Sequence, residues 1–184
     1  ACNTAVGFNS LVQSTTSSLN TAVGRQTLFA NTTGTSNTAV GALSLDAATS
    51  GSYNTGTGYA SLSVLTTGTF NVASGYIAGN GITTGSYNVA IGSHSLATTT
   101  TASNNTAVGS CALNKNTSGV DNVAMGTCAL DSNTTGSSNV AIGYSALTTN
   151  TSAANNTAVG HLALRYNTTG TSNVAVGTTS LDAN

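Results

Sequence analysis

The chain has very little charge. Three of its 184 residues are Lys or Arg and four are Asp or Glu, 4% in all, where about 25% is usual for soluble domains. A net charge of −1 creates no field that would draw nucleic acid or an anionic membrane surface, so neither is expected as a partner. Proline and tryptophan are absent. Disordered chains are usually rich in charge and proline, so both shortages speak for an ordered chain. No apolar run nears the roughly 18 residues of a membrane span, and no membrane insertion is expected. Cysteine is sparse and odd in number, at three. Cys111 and Cys128 stand one repeat apart, and Cys2 is alone. The pair reads in two ways: a disulfide, if the Cα atoms lie about 5 Å apart, or two small buried free thiols. Neither reading fixes a redox compartment.

What remains is mostly Ala, Thr, Ser, Asn, Gly, Val and Leu, set in a strict repeat. An Asn opens each of eleven units at Asn3, Asn20, Asn37, Asn54, Asn71, Asn88, Asn105, Asn122, Asn139, Asn156 and Asn173, always 17 residues apart. Four residues on stands a Gly, as in Gly24, Gly41, Gly92 and Gly109. Eight residues after the Asn comes Leu, as in Leu28, Leu45, Leu96 and Leu113, with Gly79 the single break. Twelve after it comes Thr, as in Thr32, Thr49, Thr100 and Thr117. A period of this length without insertion or deletion means that each unit is one turn of a coil, like stacked on like. Thr, Ser, Asn, Gly and Val are weak helix formers, which disfavours helical repeats.

The expected fold is therefore an all-β parallel β-solenoid, a β-roll of about eleven coils forming a single domain over 1–184. At about 4.8 Å per coil it makes a rod about 50 Å long. Each repeated residue has a task. Gly permits a corner or close backbone approach. Asn in register builds an amide ladder, and Thr hydrogen-bonds between coils. Val, Ile and Leu are expected to fill a narrow interior of roughly two or three aliphatic side chains per coil, with stability summed over neighbouring coils. In the word Asn-(Thr/Val)-Ala-(Val/Ile)-Gly the second and fourth letters share one strand face. The fourth is apolar except at Thr57 and Ser74, and Ala on the opposite face is replaced only by Gly56.

The words "NTAVG" and "NVAIG" and the phrase "ALDSNTTGSSNVAIG" (129–143) resemble the head repeats of trimeric autotransporter adhesins. They are also similar to the "NTAVG…AL…NTTG" arrays of phage and virus tail-fibre proteins. The resemblance covers the whole chain. It implies a left-handed parallel β-roll, usually trimeric, that serves as a rigid surface-binding fibre. It also implies that Val89 and Ile91 point inward and that Gly92 turns the corner. No heptad stalk follows Leu181. Neither end departs from the repeat, as expected of a piece of a longer chain or of subunits stacked head to tail.

Catalysis has little support. His94 and His161 occupy different places in their units, four coils apart. Asp46, Asp131 and Asp182 share one place but are widely separated, and each reads as a solvated surface residue. No spacing suggests metal ligands, and no cofactor is expected. The aromatics are more informative. Tyr53, Phe70 and Tyr87 precede the Asn on successive coils, and Tyr59 and Tyr76 form a second rank. They read as a glycan platform or lateral contact, or as volume restored to coils thinned by Thr57, Ser74 and Gly79. Thr33-Gly34-Thr35, Thr67-Gly68-Thr69 and Thr169-Gly170-Thr171 suggest a second function, ice binding by Thr/Ser ladders on a flat face. Sequons at Asn31, Asn104, Asn116, Asn133, Asn150, Asn155 and Asn167 matter only after passage through a glycosylating pathway.

The expected function is thus a non-enzymatic rod of an adhesive or self-assembling fibre, extracellular, on a cell surface or on a virion. Its partners would be itself, as homotrimer or end-to-end polymer, and a cell-surface glycan or receptor.

Overall fold

A computed structural model describes residues 2–182. Eleven three-residue strands run along the chain: β1 (Thr4–Val6), β2 (Thr21–Val23), β3 (Thr38–Val40), β4 (Thr55–Thr57), β5 (Val72–Ser74), β6 (Val89–Ile91), β7 (Thr106–Val108), β8 (Val123–Met125), β9 (Val140–Ile142), β10 (Thr157–Val159) and β11 (Val174–Val176). All are parallel, and they join in one sheet in sequence order from β1 to β11. The register never slips: Ala22 faces Ala39, and Ala90 faces Ala107. The chain is a β-solenoid, each strand lying one winding above the last.

Strands are short because backbone conformations that end them recur in every winding. Gly41 has φ +118°, and a Cβ there would stand 2.5 Å from the Gly58 carbonyl oxygen above it. Glycine is required at this corner for both reasons. Two further bends use other residues. Every Leu of the repeated rank lies in the left-handed region, with φ from +47° to +54°. So do the residue two before it and the residue just before the Asn, among them Cys111, Tyr53 and Phe70. Non-glycine residues adopt this conformation uncommonly. The left-handed turn curls the chain back so that Leu28, Leu45, Leu96 and Leu113 are fully buried.

The interior differs from the sequence expectation at the strands. Ala, not Val or Ile, points inward. Ala90 is fully buried, whereas Ile91 is 40% exposed and Val89 half-buried. The reason is space. A Cβ placed on Gly56 would lie 2.5 Å from Ser44 Oγ, 3.0 Å from Ser61 Oγ and 3.4 Å from Leu45 Cγ. The strand therefore lies directly against the small residue and the Leu of the opposite wall: other coils hold the buried methyl of Ala there, and on the Gly56 coil even that would crowd Ser44. Val and Ile take the outer face.

Where Gly79 breaks the Leu rank, the void is filled from within. Leu62 and Ile82 are fully buried, and their methyls stand 2.9 and 3.3 Å from the site of a Cβ on Gly79. Internal aliphatic carbon restores the lost volume. The aromatics of these coils are exposed, which overturns the reading that they thicken the core.

Candidate functional site

The Asn rank forms an inter-coil ladder. Asn37 N–H donates to Asn20 Oδ1 at 2.8 Å, and Asn105 N–H to Asn88 Oδ1 at 3.0 Å. Asn88 Nδ2 in turn donates to Asn71 Oδ1 at 3.1 Å and to the Ala102 carbonyl at 2.9 Å. These amides are buried, so each ties two coils and satisfies backbone that water cannot reach.

A second amide ladder was missed in the sequence. Asn133 Nδ2 donates to Asn116 Oδ1, and Asn150 Nδ2 to Asn133 Oδ1, both at 2.9 Å. Asn167 continues it at 3.4 Å. Its signal was an Asn one place before the repeated Thr in several units. The sequons at Asn31, Asn116, Asn133, Asn150 and Asn167 fall on this buried rank, while Asn104 and Asn155 are exposed. Asn31 stands under Ala48, not under another Asn, and its buried Oδ1 has no partner.

The Thr rank, half-buried to exposed, is also tied between coils. Thr32 Oγ1 donates to the Thr49 carbonyl at 3.1 Å, Thr49 Oγ1 to Thr66 at 3.2 Å, and Thr117 Oγ1 to Thr134 at 2.9 Å; Thr100 makes the same bond at 3.4 Å. The residues that follow, from Thr16, Thr33 and Ser50 to Ser152 and Thr169, form an exposed hydroxyl rank. The T-x-T segments lie outside the strands. Their second hydroxyl is engaged between coils in places: Thr35 Oγ1 donates to Ser52 Oγ and Thr69 Oγ1 to Ser86 Oγ, both at 3.4 Å. The expected grid of paired free hydroxyls is thus reduced to one free rank.

The outer face of the sheet carries an apolar ridge. Val6, Val23, Val40, Ile91, Met125, Ile142 and Val176 are exposed along it. It turns polar only at Thr57 and Ser74, on β4 and β5. On these two coils the strand is flanked by aromatics on both sides. Before it stand Tyr53 and Phe70, in a rank that runs on to Tyr87 ahead of β6, stacked with ring centroids 4.8 and 5.0 Å apart and tilted by only 2° and 7°. After it stand Tyr59 and Tyr76, 5.5 Å apart. All five are 44–59% exposed. Because the rings stack along the solenoid axis, both faces of Phe70 are covered by its neighbours. The rank presents ring edges and two phenol hydroxyls, not a broad aromatic platform.

The structure brings together few titratable groups. Tyr144 stacks on His161 at 5.4 Å, and Tyr76 meets His94 tilted by 58°; the two histidines remain coils apart. Lys115 pairs with Asp131 at 3.5 Å, and Arg165 lies 3.9 Å from Asp182. Both acids thus face a cation on the neighbouring coil and are not lone solvated groups. Asp46 is half-buried, one carboxyl oxygen lacks a partner, and burial raises its pKa. Cys111 and Cys128 are free and half-buried, more open than the sequence suggested. Among the described residues there is no pocket and no group of three or more His, Cys, Asp or Glu able to hold a metal. Compared with known proteins, the chain matches no family model, no curated protein and no solved structure.

Proposed function

We propose that the chain is a non-enzymatic structural repeat protein, the rigid rod of an extracellular or virion fibre that self-associates and touches surfaces through many repeated weak contacts. The observation that carries this reading is the apolar ridge on the outside of the sheet. Valine and isoleucine there spend a methyl-rich face on water in coil after coil. Contiguous exposed apolar surface marks an interaction site. A flat, nearly uncharged ridge fits a second copy of itself, in a trimer or a longer polymer. The stacked edges of Tyr53, Phe70 and Tyr87, with Tyr59 and Tyr76, supply the contact to a cell-surface glycan or receptor. Identical side chains at fixed spacing then add their affinities by multivalency.

Sedimentation equilibrium tests this directly. The native chain is expected at three times its own mass or above, and Ile91→Lys with Ile142→Lys returns it to the monomer. A native chain that sediments as a monomer at micromolar concentration overturns the reading.

The free hydroxyl rank favours a second reading, ice binding. Its hydroxyls, among them Thr33, Thr67 and Thr101, are exposed and stand about 4.8 Å apart along the axis. Purified protein would then show thermal hysteresis and shape ice crystals, and Thr67→Val with Thr101→Val would weaken both. Ordinary ice growth removes this reading.

A further inference from the structure

We infer that Cys111 and Cys128 form an oxidisable pair that closes a disulfide between adjacent coils when the folded protein meets a small disulfide such as glutathione disulfide. The two residues fill the same place in successive units. Their backbones have the same left-handed conformation, φ +56° at each. Cys111 N–H donates to the Ser93 carbonyl at 3.0 Å, and Cys128 N–H to the Ser110 carbonyl at 2.9 Å. That second bond places Cys128 directly over the peptide that leads into Cys111. In-register coils stand about 4.8 Å apart, inside the 4.4–6.8 Å range of Cα separations that a disulfide spans.

Cys111 Sγ lies 3.8 Å from Ser110 Oγ, an exposed contact. Both cysteines are half-buried at a corner of the winding, so each keeps access to solvent and to a reagent. The Cys128 thiol is pushed up by burial first and then by the neighbouring Cys111 thiol and by Asp131. Cys2 lies exposed on the first coil, far along the axis from both.

Exchange proceeds in two balanced steps. The Cys111 thiolate attacks one sulfur of glutathione disulfide, forming a mixed disulfide and releasing one glutathione. The Cys128 thiolate then attacks the Cys111 sulfur, forming the cross-coil bond and releasing the second glutathione. Two protein thiols lose their protons and two electrons, and one glutathione disulfide becomes two glutathione thiols. The product is a covalent clasp in a rod otherwise held by amide ladders and methyl packing. It encloses a single 17-residue repeat.

The sequence supplies a clean readout. Trypsin has three basic sites, at Arg25, Lys115 and Arg165, and Lys115 lies between the two cysteines. Folded Cys2→Ser protein is incubated with glutathione disulfide, alkylated, unfolded and digested without reductant. The 26–115 and 116–165 peptides are expected as one linked species that dithiothreitol separates, and Cys128→Ser abolishes the link. A parallel incubation of the wild-type chain in urea should scatter links among all three cysteines. Separate 26–115 and 116–165 peptides from the folded protein, free or each capped by glutathione, overturn the inference. So does a wild-type folded sample whose links include the 1–25 peptide as often as the unfolded one.

Discussion

Single residues here answer for more than their own contacts, because each member of a rank serves the coils above and below. Asn88 accepts from Asn105 and donates to Asn71 and Ala102. Asn88→Ala leaves a buried N–H and a buried carbonyl without partners, and should cost about 2–6 kcal/mol in chemical denaturation, at roughly 1–3 kcal/mol per orphaned group. Gly41→Ala should cost at least about 3 kcal/mol, since a methyl there meets the next backbone in a strained conformation. Asp46 gives a pH signature of unusual sign. Its folded pKa is raised by burial, so the folded chain holds the proton more tightly than the unfolded one. Stability is therefore greatest below the unfolded carboxyl pKa of about 3.9 and falls as pH rises through the folded value. Asp46→Asn should stabilise the protein at neutral pH and flatten that slope; equal slopes for both chains would refute this.

At the scale of the winding, the arrangement of strand, corner and wall follows from how little space lies between strand and Leu. The period, the parallel register and the Asn ladder were legible because identity at a fixed interval admits only coils stacked in phase. The inward face was not. Alternation shows that the fourth letter and the Ala lie on opposite faces of the strand, but not which face is closed. Apolar content suggested Val and Ile inside, whereas the opposite wall stands so close that a Cβ on Gly56 already lies 2.5 Å from Ser44 Oγ and the other coils carry Ala at this place. The left-handed Leu was equally hidden, since its side chain gives no local sign of a positive φ and the winding imposes it. The aromatic ranks were read at the right positions, but their edge-out stacking depends on ring orientation, which spacing does not carry. The inverted face yields a paired prediction. Leu96→Ala should cost about 2–5 kcal/mol, as for a buried leucine, while Ile91→Ala should cost under about 1 kcal/mol in the separated chain. The opposite order in urea titrations would put the isoleucine inside.

At the largest scale the described residues are a stack of near-identical steps with few charges and an outer apolar ridge interrupted at Thr57 and Ser74. Its cohesion rests on hydrogen bonds and methyl packing, with Lys115–Asp131 the closer of the two ion pairs among the described residues, so added salt should barely move its unfolding midpoint. Eleven strands among the described residues wind in phase and present Val, Ile and Met to solvent, the surface on which self-association is proposed. The most direct measurement is the mass of the native chain in solution by sedimentation equilibrium, taken beside that of the Ile91→Lys, Ile142→Lys variant. A trimer or larger assembly that collapses to monomer in the variant is the predicted result. A native monomer, or an assembly that both lysines leave intact, would contradict the account.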